Sequence, residues 1–172
     1  MLDLLVNSFM KYIVILLLSF PLVLKAQDCK LNKETDPYTK EIKISSGFIQ
    51  LQNGSVTIDA DATQVDIFFS LTGTDKCFDN NSTAAIFFEG SKLKMTTRNA
   101  GSMNCEGFFH FNFRNTPSTN SLLQKIATQK ISSILFTGNN KQETRLNFLA
   151  DQQPVVVSFT ACVVEEAKKL IK

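Results

Sequence analysis

The residues that could carry chemistry in this chain are few: one histidine, His110; four cysteines, Cys29, Cys77, Cys105 and Cys162; and a short run of aspartates, Asp59, Asp61 and Asp66. A hydrolytic triad needs a nucleophile, a base and an orienting acid. His110 is the sole imidazole. In the alternating segment Phe108–Phe113 it falls on the face opposite Phe109, Phe111 and Phe113, a surface or half-buried structural place rather than that of a general base. A thiol mechanism needs a free thiolate, and all four cysteines have better use in disulfides. Asp59-x-Asp61 presents two oxygens of the kind Ca²⁺ takes, but without the glycine and closing glutamate of a dedicated calcium loop. It reads instead as a solvated turn whose aspartates blunt a strand edge. Glycoside hydrolysis requires two opposed carboxylates in a groove, and the spacing nominates no such pair. No catalytic, metal or cofactor-binding residue is therefore expected.

An even number of cysteines, none spaced as CxxC, and a single histidine argue against zinc and for two disulfides, for which three pairings exist. Cys77 and Cys105 both lie in polar loop sequence between candidate strands, and Cys29 and Cys162 lie near the ends of the chain after its leader. Cys77–Cys105 with Cys29–Cys162 is the favoured pairing. Disulfides persist in oxidising compartments, and the N-terminus agrees. Tyr12–Leu24 is an uncharged, mostly apolar run preceded by Lys11 and followed by Lys25-Ala26, the three parts of a secretory signal. At roughly 13 residues it falls short of the roughly 20 a spanning helix needs, and Pro21 interrupts it. Cleavage after Ala26 leaves Gln27-Asp28-Cys29 at the start. Gln27-Asp28 is no small-residue box, which disfavours lipidation of Cys29. Asp3 and the apolar residues before Lys11 suit an n-region poorly, so translation is expected to begin at Met10.

Removing residues 1–26 from the 172 leaves one domain, 27–172, of 146 residues. The net charge is +2, and +1 once Lys11, Lys25 and Asp3 leave with the leader. Near-neutrality gives no electrostatic case for nucleic acid or an anionic membrane. Fifteen phenylalanines and no tryptophan suit a β-rich core.

Alternation predicts nine strands: Glu41–Ile44, Phe48–Gln52, Ser55–Ala60, Val65–Leu71, Ala84–Phe88, Lys92–Thr97 (Leu93 and Met95 inward), Phe108–Phe113, Ile131–Thr137 and Thr144–Leu149. Asn53-Gly54 between apolar runs predicts a hairpin whose two turn residues take positive φ. Residues before Lys40 read as a polar arm with a turn at Asp36-Pro37. Two helices are expected. One lies near 120–128, opened by a capping box from Ser121 to Gln124. The other runs over 152–171, capped by Asp151, with Pro154 in its first turn and Lys168, Lys169 and Lys172 at its end. Without βαβ alternation, the fold class is mainly β with two helices (α+β), an antiparallel sandwich or curled sheet. Asn53-Gly-Ser, Asn80-Asn-Ser and Asn81-Ser-Thr match glycosylation sequons but read as turns. Glu165, Glu166, Lys168 and Lys169 read as a solvated helix face.

Ala26-Gln27, an early Cys followed by Asp36-Pro37-Tyr38-Thr39-Lys40, the segment Leu123-x-Lys125-Ile126-Ala127-Thr128-x-Lys130-Ile131-x-x-Ile134, and a late Cys162 together resemble a group of uncharacterised exported β-rich proteins of Bacteroidota-type bacteria. The resemblance implies an exported location and this architecture, and no site residues. The expected function is an exported, non-enzymatic binding or interaction domain for a protein or glycan partner in the envelope or outside the cell. The alternatives are a carboxylate-dependent secreted hydrolase acting on glycan or peptide, and an inhibitor or immunity-type protein.

Overall fold

Alternating apolar residues give this chain strands with one wet and one dry face, and the strands stack dry face to dry face. The computed structural model describes residues 29–73 and 76–171; the expected leader, 1–26, and the start at Met10 lie outside them. The elements are β1 (Asn32–Thr35), β2 (Ile42–Ser45), β3 (Ile49–Leu51), β4 (Gly54–Ala60), β5 (Gln64–Leu71), β6 (Thr83–Phe88), β7 (Lys94–Arg98), β8 (Phe108–Arg114), α1 (Ser121–Ile126), β9 (Ile131–Thr137), β10 (Glu143–Asn147) and α2 (Gln152–Lys168). They build two open antiparallel sheets, ordered β1-β2-β4-β5-β8, with β3 also beside β4, and β10-β9-β6-β7. The chain forms the mainly-β, α+β sandwich that its periodicity predicts.

One buried cluster joins both sheets and both helices. Val56, Ile58, Val65, Ile67 and Phe69 face Ala84, Ile86, Ile134 and Phe136, all 1% exposed or less. The ring of Phe136 lies 5.0 Å from Phe109 and 5.5 Å from Phe69, and Phe78 closes on Phe109 at 5.2 Å. Each such side chain stabilises the fold by about 1.5–3 kcal/mol through burial alone. Among the buried residues, α1 inserts Leu122, Leu123 and Ile126, and α2 lays Val156, Val163 and Ala167 against the inner face of the first sheet. No helix among the described residues is long and apolar enough to cross a membrane.

Several local expectations change. The polar arm contains β1, a strand of four exposed polar residues paired with β2. The Asn-Gly hairpin forms, but Leu51 pairs with Gly54, so Gln52 and Asn53 make the turn and Gly54 opens β4. Gly54 has φ +154°, Asn53 does not take positive φ, and a Cβ on Gly54 would collide with the Ser70 carbonyl. The cap of α1 is Asn120, which accepts from Leu122 N–H and Leu123 N–H, in place of Ser121. Asp151 makes no side-chain cap on α2; instead Gln152 reaches back and accepts from Leu149 N–H. Leu93 precedes β7 and is 76% exposed, whereas Met95 packs on the core as expected.

Candidate functional site

Cross-strand register determines what the wet face of the first sheet displays. Directly paired residues share a face. Asn32 pairs with Ser45, Ser45 with Asp59, Asp59 with Asp66, and Asp66 with Asn112. One polar row therefore crosses five strands with two aspartates at its centre. A second row runs Thr57, Phe68, His110, and a third Ser55, Ser70, Phe108. Glu34 pairs with Lys43 at the β1–β2 margin. Over this margin opens a cleft of about 570 Å³ lined by Glu34, Asp59, Asp61 and Asp66, with Lys43 as its cation and Phe48 at its lip.

The lip is made by a bulge. Ser45 pairs with Asp59 and Ile49 with Val56, so three residues of one strand, 46–48, oppose two of the other. Ser46 keeps the ladder closed: its N–H donates to Ile58 O, and its hydroxyl accepts from Ile58 N–H at 2.9 Å. Gly47 takes φ +69°, which a side chain would resist, and Ser45 Oγ accepts its N–H. The extra residue turns Phe48 outward, 79% exposed, at the cleft. Bulges re-aim side chains and are frequent beside sites.

Within the cleft the carboxylates differ in role. Asp61 holds its own turn: its Oδ1 accepts from Thr63 N–H, the Thr63 hydroxyl and Gln64 N–H. Burial pushes the Asp61 carboxyl up, but these donors and the charge of Lys43 outweigh it and hold the carboxyl below its ordinary range. Asp59 Oδ2 accepts only a long bond, 3.2 Å, from the Thr57 hydroxyl. Asp66 Oδ2 lies 2.8 Å from His110 Nδ1, while its buried Oδ1 has no partner. The two side chains are 21% and 32% exposed. The His110 ring leans on Phe68, centroids 4.7 Å apart, and Phe68 on Phe108 at 5.3 Å. Behind His110, Asn99 Oδ1 accepts its N–H at 2.8 Å, and Ala100 N–H donates to its carbonyl.

Asp66 and His110 make an oriented acid–base pair, and no nucleophile is bonded to it among the described residues. Asp59 and Asp66 lie side by side on neighbouring strands of the cleft floor, not across the groove from each other as glycoside cleavage requires. Among the described residues no group of three His, Cys, Asp or Glu could hold a metal. What the arrangement does offer is a concave surface of carboxylate acceptors beside aromatic rings, suited to cationic or donor-rich groups.

Sequence reading named Asp59, Asp61 and Asp66 as one run and His110 apart from it; the sheet brings Asp59, Asp66 and His110 together, with Asp61 at the rim. It missed Glu34, Lys43 and Phe48. Glu34 and Lys43 alternate on a short polar hairpin, and Gly47 beside an aromatic residue was the available sign of the bulge. The cysteines lie elsewhere. Cys29–Cys162 ties the N-terminal arm to α2, and Cys77–Cys105 ties the β5–β6 connection to the β7–β8 connection. Beside the first, Lys33 Nζ donates to Glu166 Oε2 at 2.7 Å. The sequons lie in turns; Asn81 N–H donates to Asp79 Oδ1. Comparison with family models, with characterised proteins and with solved structures finds no match.

Proposed function

We propose that this chain is an exported, disulfide-stapled binding domain, and that the cleft over β1, β2, β4 and β5 receives a cationic or hydrogen-bond-donating group of its partner. The observation that carries this is the direct opposition of Asp59 and Asp66. Like charges facing each other across a sheet destabilise it, so their place on an open, concave, aromatic-edged surface argues for a ligand that neutralises them. Export rests on the signal-like residues 1–26, on two disulfides with no free cysteine among the described residues, and on the resemblance to exported β-rich proteins.

The test uses the protein as bait on the envelope fraction of its host. A partner retained by the native chain and lost with Asp59→Asn/Glu34→Lys supports the reading. Equal retention by both overturns the cleft as the site. Edman sequencing of the protein from that fraction should begin at Gln27, and a start upstream of Met10 would refute the leader.

A hydrolase is the second reading, favoured by the pairing of Asp66, on the cleft floor, with His110 beside it. It requires bond cleavage in glycan or peptide substrates that falls with Asp66→Asn. Retention without turnover leaves the binding reading alone.

A further inference from the structure

The wet face of the second sheet is as ordered as that of the first, and opposite in charge. Its outward positions form three rows across four strands: Arg98–Thr83–Thr137–Glu143, Thr96–Ala85–Leu135–Arg145, and Lys94–Phe87–Ser133–Asn147. The centre is apolar, with Ala85, Phe87 and Leu135. The guanidinium of Arg145 lies 5.2 Å over the Phe87 ring, and its Nη1 donates to Ser133 Oγ at 2.9 Å. An apolar centre, an ordered arginine and a charged rim are the composition of a protein interface. The rim is cationic, Glu143 being its one carboxylate, and the strongest part is β7. This strand ends the sheet, so among the described residues one side of its backbone has no strand partner. Lys94 and Arg98 point outward from it, and Leu93, 76% exposed, stands at its start. Such lysine and arginine side chains discourage blind edge pairing and leave the edge receptive to an anionic surface.

That surface exists on the same chain. We propose that copies of this protein associate head to tail, the Leu93–Lys94–Arg98 rim of one copy seated on the Glu34–Asp59–Asp66 cleft of the next. The proposal rests on the cleft being a binding site and supplies its occupant. Charge complementarity argues for it. The chain is near neutral, +2 overall, yet its two outer faces are unequal: the first sheet sets Glu34, Asp59 and Asp66 against Lys43 and Arg114, and the second sets Lys94, Arg98 and Arg145 against Glu143. An exposed apolar residue stands at each place as well, Phe48 at the cleft lip and Leu93 at the rim. Because the two surfaces differ, the contact is heterologous, and it propagates unless a ring closes. The contact is made by one edge strand and the cleft that receives it, well short of the ~800 Å² per partner of a standard interface. The association is thus weak, driven by charge and sensitive to salt.

The test is sedimentation of the purified full chain as a function of salt. The weight-average mass should exceed the monomer near 10 mM salt, where screening acts beyond about 30 Å, and fall to the monomer near 1 M, where it acts within about 3 Å. Lys94→Glu/Arg98→Glu has a cleft but no rim, and Glu34→Lys/Asp59→Asn has a rim but no cleft. Each alone should stay monomeric at low salt with an unchanged circular-dichroism spectrum, and their mixture should form a one-to-one dimer that does not grow. A native chain monomeric at low salt, or a rim variant that still associates, overturns the proposal. Partner capture by the cleft would survive that result and keep the binding reading. A cleft variant that changes neither association nor capture defeats both.

Discussion

Asp59 and Asp66 stand directly opposite each other on β4 and β5, with only a 3.2 Å hydroxyl contact from Thr57 on the first and His110 on the second. Opposed like charges cost a few tenths to about 1 kcal/mol. Asp59→Asn keeps the shape and removes one charge. It should raise the unfolding free energy from urea titration by that amount while weakening partner binding, the exchange of stability for function expected at a site. Asp66→Asn should not stabilise, because it also removes the charged partner of His110. A lowered midpoint for Asp59→Asn would show that the carboxylate is held by neighbours rather than strained against Asp66.

Glu166 gives the fold an acid-sensitive clasp. Hydrogen bonds from the ammonium groups of Lys169 and Lys33, opposed by burial, lower its carboxyl from 4.5 to about 2. A carboxylate whose folded pKa is depressed contributes stability that is full above its unfolded value and lost as pH falls through the folded one. The loss therefore runs from about pH 4.5 down to about 2. Solvent and salt screening hold the contribution to about 1 kcal/mol or less. Glu166→Gln should remove that part of the slope of unfolding free energy against pH, and leave the rest. Lys169, raised by the same partner, acts at the other end: its contribution is full at neutral pH and is lost as pH rises through its raised value.

The two disulfides should differ in weight. They close 133 and 28 residues. The chain-entropy account gives about 5 kcal/mol for the longer loop and about 3.6 for the shorter. Cys29→Ala/Cys162→Ala should thus lower the denaturant midpoint more than Cys77→Ala/Cys105→Ala. Cys162 is also buried in α2, which adds a small cavity cost in the same direction. Equal losses would mean that β1 stays docked without its bond, held by Lys33–Glu166 and its pairing with β2.

Much of the fold was legible because burial imposes period two. Val65, Ile67, Phe69 and Leu71 had to share the dry face of β5, and they do. β1 was not legible: Asn32-Lys33-Glu34-Thr35 buries nothing, and its pairing comes from the hairpin at Asp36, whose carboxylate accepts from Tyr38 N–H and Thr39 N–H. Leu93 was misplaced because alternation alone does not say where β7 starts. The same limit governed the site. Asp59, Asp61 and Asp66 are close in sequence and could be listed. Their meeting with Glu34, Lys43 and Phe48 depends on register between distant strands and on one extra residue at Gly47, neither of which leaves a periodic trace.

Phe48 separates binding from folding. A side chain 79% exposed contributes little to the core, so Phe48→Ser should leave the unfolding free energy from urea titration within about 0.5 kcal/mol of the native value. Aromatic residues are among those that dominate interfaces, and truncation of one that becomes buried against the partner costs 2 kcal/mol or more, roughly thirtyfold in affinity. The same substitution should therefore weaken partner retention, measured by the dissociation rate from immobilised protein, by about that factor. Gly47→Ala tests the bulge that presents it. Its φ of +69° strains any side chain, so this variant should lose both stability and binding, while Phe48→Ser loses binding alone. If Phe48→Ser left retention intact, the lip would have no part in recognition and the carboxylate floor would have to account for it unaided.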